Sequence, residues 1–75
     1  MTETADKAMM SISVNGEPKR VAKGSSIAGM LEAIGLDPKK VAVEHNLEVV
    51  PRSTLGDVRV ADGDSFEIVH FVGGG

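Results

Sequence analysis

The sequence has no cysteine, no tryptophan and no tyrosine, and its only aromatic residues apart from two histidines are two phenylalanines. Without cysteine there is no disulfide framework, no thiolate nucleophile and no thiolate metal site, which fits a reducing compartment and leads us to expect a cytoplasmic protein. Two phenylalanines give little to stack on bases. The formal net charge of -3 points the same way, because a nucleic-acid binder replaces phosphate counterions with clustered Lys and Arg. No apolar run is long enough to span a membrane. Residues 1–8 (MTETADKA) carry acidic side chains and no apolar stretch, so they make neither a signal peptide nor an anchor, and a disordered, solvated leader is expected there. No nucleic-acid or membrane partner is therefore expected.

What is present fits one small folded domain. Apolar residues make up 41% of the 75 residues, and the 25% that are charged are mixed in sign, too balanced to hold the chain unfolded. A chain of this length builds one core and has no room for an elaborate catalytic cleft. It should act through a surface or an end.

Met10, Ile12 and Val14 alternate with Met9, Ser11 and Ser13 up to Asn15-Gly16, a dipeptide suited to the positive φ angles of a tight hairpin turn. The return strand, residues 17–22, contains Pro18, which lacks a ladder donor and belongs at a sheet edge. Ser25 and Ser26 can each cap a helix. Ile27, Met30, Leu31 and Ile34 then follow at the i, i+3, i+4, i+7 spacing of one helical face, predicting a helix of about ten residues. Gly35 suits a left-handed C-terminal cap, Leu36 can fold back on the last turn, and Asp37-Pro38 stops continuation. Beyond it, residues 41–46 alternate as a third strand and residues 48–50 form a short one ended by Pro51. Residues 52–57 suit an irregular turn, and residues 58–60 an extended piece. Asp62-Gly63-Asp64 marks another turn before a last strand over residues 65–72.

A hairpin, one helix and further strands predict an α+β fold of the ubiquitin-like β-grasp type, a mixed sheet with one helix packed across one face. The domain is expected over residues 9–72, with 73–75 as a flexible tail. A ferredoxin-like fold needs a second helix, and residues 52–60 are too short and too aperiodic to supply it.

The most informative feature is the end, Gly73-Gly74-Gly75, directly after a strand. A frayed tail or a cloning scar does not explain why the run begins right after Val72. Without Cβ atoms, three glycines can thread a narrow channel and let another backbone approach closely, and extended they reach roughly 10 Å. That carries a terminal carboxylate from this protein's surface into a partner's active site. A carboxylate is a poor electrophile, so the partner must activate it, most simply by ATP-dependent adenylation; attack by a sulfur nucleophile then leaves a thiocarboxylate.

The segment Val41-Ala42-Val43-Glu44-His45-Asn46-Leu47-Glu48-Val49-Val50-Pro51-Arg52-Ser53 resembles the thiamin-pathway sulfur carriers, the ThiS family. So do Ala61-Asp62-Gly63-Asp64 and the run from Glu67 through Val72 into the glycines; the opening Ile12-Ser13-Val14-Asn15-Gly16-Glu17 also fits. A diglycine end is shared by all ubiquitin-like carriers, whereas Val49-Val50-Pro51-Arg52-Ser53 with the Phe71-Val72-Gly73-Gly74-Gly75 ending looks specific to this family. The resemblance covers residues 10–75 and implies a β-grasp fold. It also implies a ThiF-like adenylyltransferase that activates Gly75 with ATP, a cysteine-derived persulfide donor, and a ThiG-like thiazole synthase that takes up the sulfur. Gly74 and Gly75 map onto the diglycine, Gly75 is the modified residue, and Gly73 is one glycine beyond the minimum. The chain itself would bind no cofactor and act as a monomeric carrier, not an enzyme.

Along the last strand, Phe66, Ile68 and His70 share one face and Glu67, Val69 and Phe71 the other. Only one face can meet a lone helix. We expect Phe66 and Ile68 in the core and Val69 and Phe71 exposed beside the tail as a docking patch; the competing register has Phe71 covering the end of the core. His45 and His70 lack metal-ligand spacing and triad partners and read as surface or strand-end residues, so no metal site is expected. Asp62 and Asp64 read as turn residues, Gly24-Ser25-Ser26 as a helix cap, and Arg52 as an exposed turn arginine. Carriers for molybdopterin or cysteine synthesis, a ubiquitin-like modifier and a non-covalent interaction module are the other readings. The first two differ in the acceptor enzyme, the third in its lysine-linked products, and the fourth in tolerating loss of Gly74 and Gly75.

Overall fold

Asn15 and Gly16 adopt left-handed φ angles of 51° and 84° and join strand β1 (Met9–Val14) to β2 (Glu17–Ala22) as a two-residue turn. This is the type I′ geometry, whose twist matches that of the flanking strands. The computed structural model describes residues 8–71. Ala8, at the end of the expected leader, accepts the Lys23 N–H at 2.9 Å.

Helix α1 (Ile27–Ala33) starts at Ser26, whose Oγ accepts the Gly29 N–H at 3.0 Å. Ser25 instead donates its hydroxyl to the Ala22 carbonyl. At the other end, Leu36 N–H bonds to Leu31 O and Gly35 N–H to Glu32 O, with Gly35 at φ +90°. This double bond pattern is a Schellman closure, for which glycine has no Cβ penalty. The helix has seven residues, fewer than the ten its apolar spacing suggests, because Ile34 continues the apolar stripe while already serving as the C-cap.

A short 3₁₀ turn (Pro38–Lys40), capped by Asp37, leads into β3 (Val41–His45). Asn46 and Leu47, at φ 50° and 74°, turn the chain into β4 (Glu48–Val50). A second 3₁₀ turn (Arg52–Thr54) follows, then an extended stretch joined to the helix entry by the Ser26–Arg59 bridge, and β5 (Ser65–His70). The sheet order is β2-β1-β5-β3-β4, with β1 and β5 parallel and the other pairs antiparallel. Pro18 therefore lies on an edge strand, as its missing N–H requires. The last strand is shorter than expected: its ladder on β3 ends at the His70–Val41 pair, since the residue before Val41 already belongs to a 3₁₀ turn. Phe71 still donates its N–H to Lys40 O at 3.0 Å.

Ile27, Met30 and Leu31 of α1 are fully buried against Met10, Ile12, Val14, Val41, Val43, Phe66 and Ile68 from one face of the sheet. This is the β-grasp arrangement the element order predicts. Leu55 and Val60, both buried, close the core from a segment whose sequence shows no periodicity.

Candidate functional site

The tail, Gly73-Gly74-Gly75, and Val72 lie outside the described residues. What the structure defines is their root, Phe71, directly after β5 ends at His70. β5 is the central strand, held by β1 on one side and β3 on the other. Its alternation divides as the sequence predicts: Phe66 is 0% and Ile68 7% exposed, while Val69 is 64% and Phe71 46% exposed.

Val69 stands opposite Ala42 on the sheet face away from the helix. On that face, the next row runs Val49 on β4, Glu44 on β3 and Glu67 on β5. Val49 is 74% exposed and does not stand out in the sequence, because Val49-Val50 reads as a uniformly apolar pair; Val50 packs against the core and Val49 faces outward. Glu44 and Glu67 sit directly across from each other, and neither has an ion-pair partner among the described residues. The open face thus combines isolated apolar side chains with an uncompensated pair of carboxylates.

Arg52 lies exposed in the second 3₁₀ turn, as its sequence context predicts, but the sequence does not foretell its neighbour. Its guanidinium carbon lies 5.0 Å from the centroid of the Phe71 ring, a cation–π contact at the root of the tail. Both residues line a groove of about 200 Å³ that continues over Val41, Val43, Val50 and Leu55. Phe71 therefore has one side on this groove and another open to solvent, so the two registers weighed for it, exposed patch and cover over the core's end, are partly combined in one residue.

The histidines part company. His70 is exposed at the end of β5. The His45 ring stacks on Phe66, with centroids 4.9 Å apart and planes 9° from parallel, and its Nε2 lies 2.7 Å from Asp64 Oδ2. Asp64 also accepts the Ala61 N–H at 2.8 Å and the Asn46 side-chain amide at 3.2 Å. Partial burial pushes the Asp64 carboxyl upward, but the bonds from Ala61, His45 and Asn46 and the charge of His45 outweigh it and hold the pKa below its ordinary value. Asp62 accepts the Ser11 N–H through Oδ1 at 2.8 Å. These groups tie the turn before β5 to the two hairpins, at the opposite end of β5 from the tail. Among the described residues no three His, Cys, Asp or Glu side chains gather as a metal ion would need, and no helix is long and apolar enough to cross a membrane.

A model of the ThiS family matches residues 12–75. The sulfur carrier protein ThiS of Bacillus subtilis is 37% identical over 65 residues, which cover 85% of this chain and 98% of that protein. A thiazole synthase of Paramagnetospirillum magneticum is 46% identical over 66 residues; these cover 88% of this chain and 20% of that protein, so the chain spans about a fifth of its length. The crystal structure of the thiamine biosynthesis protein ThiS from Geobacter metallireducens superimposes with a TM-score of 0.73 at 36% identity, covering 88% of this chain and all of that one.

Proposed function

The chain belongs to the ThiS family, and from that premise we propose that it is a sulfur carrier of thiamin biosynthesis whose working group is the carboxylate of Gly75. The observation that carries this reading is the extent of the likeness: the family match runs through the terminal glycines to residue 75, and nearly the whole of a named sulfur carrier aligns with the chain. The protein is then a co-substrate of partner enzymes. It needs no nucleophile or cofactor of its own, because the chemistry takes place after the tail has entered a partner's site.

In the first step the Gly75 carboxylate attacks the α-phosphorus of ATP held by a ThiF-like adenylyltransferase, and pyrophosphate leaves. A cysteine-derived persulfide then attacks the acyl carbon and expels AMP, and a thiol cleaves the resulting acyl disulfide to give the thiocarboxylate. The loaded tail delivers its sulfur to a thiazole synthase. The relatives named thiazole synthase support that last partnership, since a segment like this chain lies within a longer protein of that name. Val69 and Phe71 form the docking patch beside the tail, and exposed apolar side chains on an otherwise polar face suit a body that visits two enzymes in turn as a monomer in the cytoplasm.

The test is an intact-protein mass spectrum before and after incubation with ATP, a sulfur source and the adenylyltransferase. The expected gain equals the difference between one sulfur and one oxygen atom and vanishes when Gly75 is deleted. An unchanged mass, with an adenylyltransferase shown to act on another carrier, refutes the sulfur-carrier reading and leaves a non-covalent binding module.

A further inference from the structure

Resting on the sulfur-carrier reading, we infer that Arg52 is a positioning residue for the tail: by clamping the Phe71 ring it sets the direction in which the following residues leave the sheet. Two contacts fix the chain at this point. The Phe71 N–H bonds to Lys40 O at 3.0 Å, and the Arg52 guanidinium covers the Phe71 ring at 5.0 Å. The first holds the main chain at one atom and leaves rotation about it; the second, placed on the side chain, restrains that rotation.

Arg52 is itself held from below. Pro51 precedes it at φ -58° and accepts from both the N–H and the hydroxyl of Thr54, each at 2.9 Å. Leu55, whose N–H bonds to Arg52 O at 3.2 Å, is 2% exposed and anchors this 3₁₀ turn in the core. A guanidinium on such a base, with no carboxylate partner among the described residues, has the ring as its neighbour. An ordinary solvated turn arginine requires none of this.

The need for such a clamp follows from the tail's composition. Val72 and three glycines separate Phe71 from the reacting carboxylate, a span of roughly 13 Å when extended. Glycine supplies no steric preference of its own. Nothing along the tail corrects the angle at which it leaves the sheet, and for a tail held extended a swing of about 20° at the root becomes a displacement of several ångströms at the tip, where misplacements of ~1 Å already slow reactions severely. Restraining the root is the one place where the body of the protein can correct the aim.

The experiment is ATP–pyrophosphate exchange catalysed by the adenylyltransferase at saturating full-length carrier, comparing Arg52→Ala, Arg52→Gln and Arg52→Lys, each alone and with Phe71→Leu, alongside their melting temperatures. Expected for Arg52→Ala and Arg52→Gln is a fall of about two- to fivefold in kcat, the scale of an exposed cation–π contact, with KM and melting temperature unchanged. Arg52→Lys restores part of the loss, and the loss disappears in the Phe71→Leu background. A kcat equal to wild type in both neutral variants overturns the proposal while leaving the carrier reading intact. So does a loss that persists undiminished with Phe71→Leu, or one confined to KM, because Arg52 then touches the partner directly. A wild-type chain that supports no exchange at all refutes the carrier reading itself.

Discussion

The side-chain amide of Asn15 pairs in both directions with the main chain of Ile68, its Oδ1 accepting the N–H at 2.7 Å and its Nδ2 donating to the carbonyl at 3.1 Å. The parallel ladder between β1 and β5 comprises only the pairs Ser13–Ser65 and Val14–Phe66. Asn15 extends it past the end of β1 by imitating a peptide group, while its own φ of 51° makes the hairpin turn. Replacing it by glycine keeps the turn conformation and removes the two side-chain bonds. Asn15→Gly should lose about 1–3 kcal/mol in urea unfolding, since a partly buried N–H is left unpaired; Asn15→Asp, which keeps the acceptor and loses the donor, should fall between.

Leu47 occupies the second position of the β3–β4 turn at φ 74°, a conformation that costs a non-glycine residue of order 1 kcal/mol or more. Its side chain is 87% exposed, so shortening it gives up almost no packing. Leu47→Gly should raise stability by about 1 kcal/mol, or some 4–8 °C in melting temperature for a domain of this size. A lowered melting temperature would show that the leucine side chain contributes more than the strain it causes.

Asp64 links the fold to pH. Its folded-state pKa lies below the unfolded value, so its contribution is present above the unfolded carboxylate range and is lost as pH falls through the folded pKa. Wild type should therefore be more stable than Asp64→Asn near neutral pH, and the two urea midpoints should converge in strong acid. Parallel midpoints across that range would show that the Asp64 charge plays no part.

Val69→Asp should leave the melting temperature nearly unchanged, since the side chain is exposed and packs on no neighbour in the core. If the open sheet face docks the adenylyltransferase, the KM for the carrier in adenylation should rise by about tenfold, the effect of removing one buried apolar side chain from an interface. An unchanged KM places the docking surface elsewhere.

The parts of this fold that sequence reveals are those where one residue type has one conformational use. Asn15-Gly16 is read correctly because glycine removes the penalty of positive φ, and the β1 and α1 faces because burial imposes a period on them. At the second hairpin the break between the strands is legible but the left-handed turn is not, because leucine carries no turn signal; the geometry there is imposed by register, with the Asn46 side chain accepting the Ser65 N–H at 2.9 Å. Leu55 and Val60 are hidden for a related reason: each reaches the core from a loop, where burial leaves no periodic trace. At the site, alternation along β5 separates Val69 and Phe71 from Phe66 and Ile68. Arg52 over Phe71 joins two segments that only the folded sheet brings together.

The strand that delivers the tail occupies the middle of the sheet, beside β1 along one edge and β3 along the other. A pull on the C-terminus acts along β5, across the direction of its flanking hydrogen bonds, so those bonds share the load in shear, whereas an edge strand peeled sideways would surrender them one at a time. Mechanically the tail is a tether fixed to a strand gripped from both sides, and a machine hauling on it meets that shared resistance at the first step.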